Sequence, residues 1–70
     1  MYKNLRSAMA QKGVTIEAIS RLLNVHRNTI QNKLDGESDF TIEQAFLITD
    51  VMFPEYKLAF LFRNDEEQAS

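Results

Sequence analysis

Cysteine is absent from this 70-residue chain, and glycine, proline and histidine occur only twice, once and once. Because there is no cysteine, neither a disulfide framework nor a thiolate metal site holds the fold together, and a reducing compartment such as the cytoplasm is compatible. No apolar run approaches the roughly 18 residues of a membrane span, and the N-terminus lacks the apolar core of a signal peptide. These absences predict a small cytoplasmic protein with no membrane partner.

The scarcity of glycine and proline also leaves little turn chemistry for β-hairpins, whereas apolar residues recur at helical spacing. The sequence therefore predicts an all-α fold, a compact domain of five helices over residues 1–62. A flexible acidic tail is expected over residues 63–70, because it has no apolar anchor.

A short glycine turn separates the first two predicted helices. The first covers residues 3–11 and ends at Gly13, which supplies a left-handed residue. The second begins after Thr15, whose side-chain oxygen caps it, and carries Glu17 where the helix dipole favours an anion. The core-facing residues of these helices are predicted to be Leu5, Ala8, Met9, Ile16, Ile19, Leu22 and Leu23.

A third helix is predicted over residues 27–34. Asn24 makes the turn before it, because asparagine tolerates positive φ, and Gly36 stops it. Ile30 and Leu34 are expected to face the core. The opposite face is a polar, outward stripe formed by Arg27, Asn28, Gln31 and Asn32.

Two further helices follow. Thr41 and Gln44 form a predicted capping box, so the fourth helix should cover residues 42–52. Pro54 ends that element or opens the next one, and residues 54–62 are long enough for a short fifth helix. The buried face of the fourth helix is predicted to be Ala45, Phe46, Ile48, Thr49 and Met52.

The formal net charge of −2 conceals a strong asymmetry between the two halves of the chain. Residues 1–34 hold six bases against one acid, a net charge of +5, whereas residues 35–70 hold two bases against nine acids, a net charge of −7. A basic half of this kind points to a nucleic-acid surface, although charge runs are more often solvated faces.

Residues 15–36 resemble the helix-turn-helix of the phage repressor and Cro-type (XRE-like) DNA-binding family. Ser20 occupies the position of the small residue that lets the two helices approach each other. Val25, Ile30 and Gly36 match the turn valine, the core aliphatic residue and the terminal glycine of that family. The resemblance implies a repressor-like fold in which the third helix enters the DNA major groove.

The resemblance also implies which residues touch DNA. Arginine binds guanine O6 and N7 in a bidentate fork, and asparagine binds adenine N6 and N7 in the same way. The implied base readers are Arg27, Asn28, Asn32 and, at the edge, Gln31. The residues implied to contact the DNA backbone are Thr15, His26 and Lys33. Such contacts set the register of the protein on the duplex without reading its sequence.

Several residues depart from the family pattern. Glu37, Ser38 and Asp39 stand in the loop where the family often has lysine or arginine, and the carboxylates of Glu37 and Asp39 repel DNA. Ile16 replaces a glutamine that contacts the DNA backbone in the family, and His26 replaces the serine or threonine that usually caps the third helix. The buried arginine and glutamate pair of the family appears as Met9 and Leu34, an exchange that need not cost stability.

The stretch around residues 53–62 holds four aromatic residues, more than a short terminal helix readily hides. We therefore predict a homodimer whose interface includes Tyr56, Phe60 and Phe62. A two-fold dimer would bind a roughly palindromic operator, with recognition helices about 34 Å apart.

Two other function classes compete with DNA binding as interpretations of the sequence. An enzyme is disfavoured, because His26 is the only histidine and no glycine-rich phosphate loop or metal-ligand spacing occurs, so no cofactor, metal or small-molecule substrate is expected. The alternative is a non-enzymatic protein–protein interaction module on the same fold, using the acidic second half and its aromatic residues.

Overall fold

The computed structural model describes residues 2–63, and within that range every regular element is a helix. The all-α fold of five helices is therefore confirmed. The helices are α1 (Lys3–Lys12), α2 (Ile16–Leu23), α3 (Arg27–Leu34), α4 (Ile42–Met52) and α5 (Leu58–Leu61). Apart from Arg63, the predicted acidic tail lies outside the described residues.

Local chemistry sets the ends of the first helices as predicted. Gly13 follows α1 with φ +69° and Asn24 follows α2 with φ +56°, both in the left-handed region that glycine and asparagine tolerate best. The Thr15 hydroxyl oxygen caps α2 by accepting the Ala18 N–H at 3.1 Å.

The fourth helix begins with the predicted capping box. The Thr41 hydroxyl accepts the Gln44 N–H at 3.1 Å, and the Gln44 side chain accepts the Thr41 N–H at 3.0 Å. Two N–H groups that the helix itself leaves unpaired are satisfied in this way. The bounds of α4 are those the sequence predicts.

One apolar core joins the helices. Helix α2 packs on α3 and α4, while α5 packs on α1 and α4. Burial of this shared cluster is the main term that stabilises so short a chain. The core consists of Tyr2, Leu5, Ala8, Met9, Ile19, Ile30, Leu34, Ile48, Phe53 and Leu61.

Two sequence predictions in the C-terminal part need correction. The fifth helix is only Leu58–Leu61, because the chain turns at Pro54 and leaves the residues before Leu58 outside the helix. Phe46 is 55% exposed, so its predicted place on the buried face of α4 is wrong. That face is filled by Ala45, Ile48 and Thr49, with Met52 half-buried, and Phe46 lies beyond its edge.

No helix within residues 2–63 has the length and apolar character needed to cross a bilayer.

Candidate nucleic-acid interface

A three-residue turn connects α2 to α3. Asn24 takes the left-handed conformation, and the Val25 N–H donates to the Ser20 carbonyl at 3.0 Å. His26 then caps α3, because its Nδ1 accepts the Asn28 N–H at 3.1 Å. The histidine at this position therefore supplies the cap that serine or threonine supplies in the resembled family.

The two sides of α3 differ sharply in burial. Ile30 and Leu34 are buried in the core. Arg27, Asn28 and Asn32 are exposed, and the two asparagines lie on the side away from Ile30 and Leu34. Because Asn28 and Asn32 are four residues apart, they lie one above the other on the helix. Three of the four predicted base readers thus project into solvent from one helix.

Arg27 is paired with a residue that the sequence analysis did not assign to the site. Its Nη1 lies 3.1 Å from Oε2 of Glu17, in the first turn of α2. The side chains are 61% and 49% exposed, so the pair contributes only about 0–1 kcal/mol to stability. The contact directs the guanidinium toward the first turn of α2. In the sequence, the position of Glu17 in the first turn of α2 predicted a favourable interaction with the helix dipole, but it did not predict the contact with Arg27.

Gln31 is held at the edge of the outward face rather than on it. It is half-buried, and its Nε2 donates to Oδ1 of Asp35 at 3.0 Å. The same oxygen accepts Nη2 of Arg6 at 2.8 Å. Arg6 also donates to the Leu34 carbonyl at 3.1 Å, which places a cation at the C-terminal end of α3, where the helix dipole favours it.

The residues predicted to contact the DNA backbone have hydrogen-bond partners within the protein. Lys33 is half-buried, its Nζ donates to the Asp39 carbonyl at 2.8 Å, and it lies 5.7 Å from the centre of the Phe40 ring. Thr15 and His26 are exposed. When His26 Nδ1 accepts a hydrogen bond, the neutral imidazole carries its proton on Nε2, which leaves that atom as a donor.

The charge asymmetry of the sequence is partly cancelled in space. Arg6 pairs with Asp35, and Lys12 pairs with Glu55 at 2.8 Å, so acids of the second half neutralise bases of the first. The Lys12 contact also holds the pKa of the Glu55 carboxyl below its usual range, mainly through the side-chain hydrogen bond. Within residues 2–63, Arg21 is an exposed cation of α2 that makes no ion pair.

The predicted dimer residues are partly used inside the monomer. Phe62 is half-buried and packs edge-on against Tyr2 and Phe40, with ring centroids 5.8 and 5.4 Å apart. Tyr56 is also half-buried and stacks on Phe60, and its hydroxyl donates to Oε1 of Gln11 at 3.2 Å. Of the three predicted residues, only Phe60 is largely exposed, at 47%.

No family model, curated protein or solved structure matches the chain.

Proposed function

We propose that this chain is a sequence-specific DNA-binding transcriptional regulator of the cytoplasm, similar to phage or mobile-element repressors. In this proposal α3 enters the DNA major groove. The observation that carries it is the joint exposure of Arg27, Asn28 and Asn32 on a helix whose other face is anchored in the core. The major groove admits one helix, and these side chains are the types that match base edges.

The base-reading roles follow from position on α3. Arg27 stands in the first turn, where its guanidinium is suited to guanine O6 and N7, and Asn28 and Asn32 are suited to adenine. Gln31 stands at the edge, because Asp35 already accepts its amide.

Phosphate contacts come from the surroundings of α3 in this proposal. The candidates are Thr15, His26, Lys33 and the exposed Arg21. Lys33 gives up its hydrogen bond to the Asp39 carbonyl when it reaches a phosphate, so we expect Arg21 to contribute more. Contacts of this kind add affinity for every sequence and make it salt-dependent.

A homodimer on a roughly palindromic operator completes the proposal, with Phe60 as the exposed aromatic contact. Two copies of α3 would then lie about 34 Å apart, one helical turn of DNA. Sedimentation equilibrium with and without operator DNA tests this part. A chain that stays monomeric at high concentration and on DNA contradicts the dimer but leaves base reading by α3 open.

Selection of bound duplexes from a random pool tests DNA reading directly. We expect one palindromic sequence to be enriched. Arg27→Ala and Asn32→Ala should each cost about 1–3 kcal/mol of binding free energy and relax base preference at one position. Arg21→Ala is the matched control, because loss of a phosphate contact should weaken all sequences alike and reduce the salt slope by about 1.

The rival function, a protein-interaction module without DNA binding, predicts a different result. In that case no duplex is enriched, no salt-sensitive DNA binding is measured, and Arg27→Ala has no effect on any duplex. That outcome would overturn the proposal.

A further inference from the structure

Helix α4 carries a second surface, on the side away from the core. We define the α4 outer face as Glu43, Asp50 and the four exposed apolar residues of the helix. Those apolar residues are Ile42 at 61% exposure, Phe46 at 55%, Leu47 at 41% and Val51 at 54%. Isolated exposed apolar residues are ordinary, but four on one three-turn helix are a concentration of the kind that marks interaction sites.

Helix geometry orders the α4 outer face into three rows. At about 100° per residue, Ile42 and Phe46 form one row, and Leu47 and Val51 form another. Both acids are exposed and lie between these rows. Helix α4 contains no lysine, arginine or histidine. The face is therefore apolar on both sides and negatively charged along its middle.

The α4 helix of a second copy fits this face poorly. The middle of the face lies between Phe46 and Leu47, so antiparallel pairing of two α4 helices about that point sets Glu43 of each copy against Asp50 of the other. Four carboxylates would be brought together without a base from α4, and such like-charge contacts are destabilising.

The charge of the face also disfavours two other occupants. Glu43 and Asp50 repel the phosphates of nucleic acids and the headgroups of anionic membranes. The same carboxylates attract a cationic partner. Lysine and arginine suit the face further, because their aliphatic stems pack on apolar side chains while their charged ends reach carboxylates.

We propose that the α4 outer face docks a basic amphipathic helix of another protein. The contact face of that helix carries lysine or arginine along its middle, opposite Glu43 and Asp50, and apolar residues on both sides, opposite the two apolar rows. An 11-residue α4 is about 16 Å long, which matches about three turns of such a helix. This surface is separate from α3, and the proposal stands whether or not the chain binds DNA.

Fluorescence anisotropy with a synthetic peptide tests the proposal on the full chain. The probe is a labelled 18-residue helical peptide, designed with lysines along the middle of one face and leucines on both sides, and the matched control peptide has glutamate at every lysine position. We expect saturable one-to-one binding of the lysine peptide only. Phe46→Ser and Val51→Thr should each weaken it at least about fivefold, and Asp50→Asn should weaken it and reduce its salt dependence.

Glu37→Gln is the control variant and should leave peptide affinity unchanged, since it removes the same charge as Asp50→Asn from the loop after α3 rather than from α4. Circular dichroism melts separate lost docking from lost folding, and Val51→Thr keeps the shape of the side chain. Equal binding of both peptides, or unchanged affinity in both apolar variants, overturns the proposal. A dimer in sedimentation equilibrium that Phe46→Ser dissociates also overturns it, because a second copy then covers the face.

Discussion

The guanidinium of Arg27 lies 3.1 Å from the carboxylate of Glu17, so the first turn of α3 is tied to the first turn of α2. This contact orients an exposed arginine that stands at the N-terminal end of α3, the helix proposed to read DNA. It also places a negative charge beside that end, where phosphates would approach. Glu17 therefore favours orientation of Arg27 and disfavours binding to any duplex.

Replacement of Glu17 separates these two effects. Glu17→Gln should strengthen binding to random duplexes at low salt, because a repulsive charge is lost, and should reduce discrimination at the base read by Arg27. Competition binding of selected against random duplexes measures both. Glu43→Gln removes the same charge from α4 and should change neither. If Glu17→Gln improves affinity and discrimination together, Glu17 does not orient Arg27.

Glu37 is the acid whose replacement should most simply raise DNA affinity. It is exposed in the loop after α3, whereas the Asp39 carboxylate accepts the Tyr2 hydroxyl at 3.3 Å and so has a structural partner. Glu37→Lys should strengthen binding to all duplexes and steepen the salt slope by about 1. Glu43→Lys, on α4, is the control. Equal gains in both variants would mean that the loop does not lie near the phosphates.

The cap provided by His26 should be measurable as stability. His26→Ala removes the acceptor of the Asn28 N–H and should lower the free energy of unfolding by about 0.5–2 kcal/mol. His26→Asp keeps an acceptor and should restore most of that loss. Urea unfolding of the three proteins tests this. An unchanged midpoint for His26→Ala would show that water satisfies the N–H equally well.

The different burial of two neighbouring residues on α4 predicts very different costs of truncation. Ile48 is fully buried, and Ile48→Ala should lower the free energy of unfolding by about 2–5 kcal/mol. Phe46 is 55% exposed, and Phe46→Ala should change the free energy of unfolding by about 0.5 kcal/mol or less, although it removes a larger side chain. Thermal or urea unfolding measures both. A large loss for Phe46→Ala would place its ring in the core after all.

The contact between Lys12 and Glu55 should make stability depend on pH in the acid range. The hydrogen bond from Lys12 lowers the pKa of the Glu55 carboxyl. A lowered pKa in the folded state means that the stabilisation is present above the ordinary pKa of 4.5 and is lost as the pH falls through the folded value. Unfolding midpoints measured from about pH 6 to 3 should therefore fall less steeply in Glu55→Gln than in the parent. Identical slopes would show that the ion pair does not form in solution.

Features that depend on neighbouring residues in the chain could be predicted from the sequence. The hydroxyl and amide caps at Thr15 and Thr41, the left-handed turns at Gly13 and Asn24, and the burial of Ile30 and Leu34 all follow from interactions within a few residues. The exposure of Asn28 and Asn32 follows from the same periodicity, because a helix with one apolar side turns its other side to water.

Other features depended on which distant groups the fold brings together. Helix α4 is apolar except along the line of Glu43 and Asp50, so its sequence did not separate Phe46, which is exposed, from Ala45 and Ile48, which face the core. Packing against α2 and α5 decided this. The charge surplus of the first half predicted a basic surface, yet Arg6 and Lys12 meet acids 29 and 43 residues away. The sequence by itself determined the helices and their caps, because those interactions are local. Only the tertiary structure decided which charges cancel and which apolar side chains stay exposed, because both depend on contacts between residues far apart in the chain.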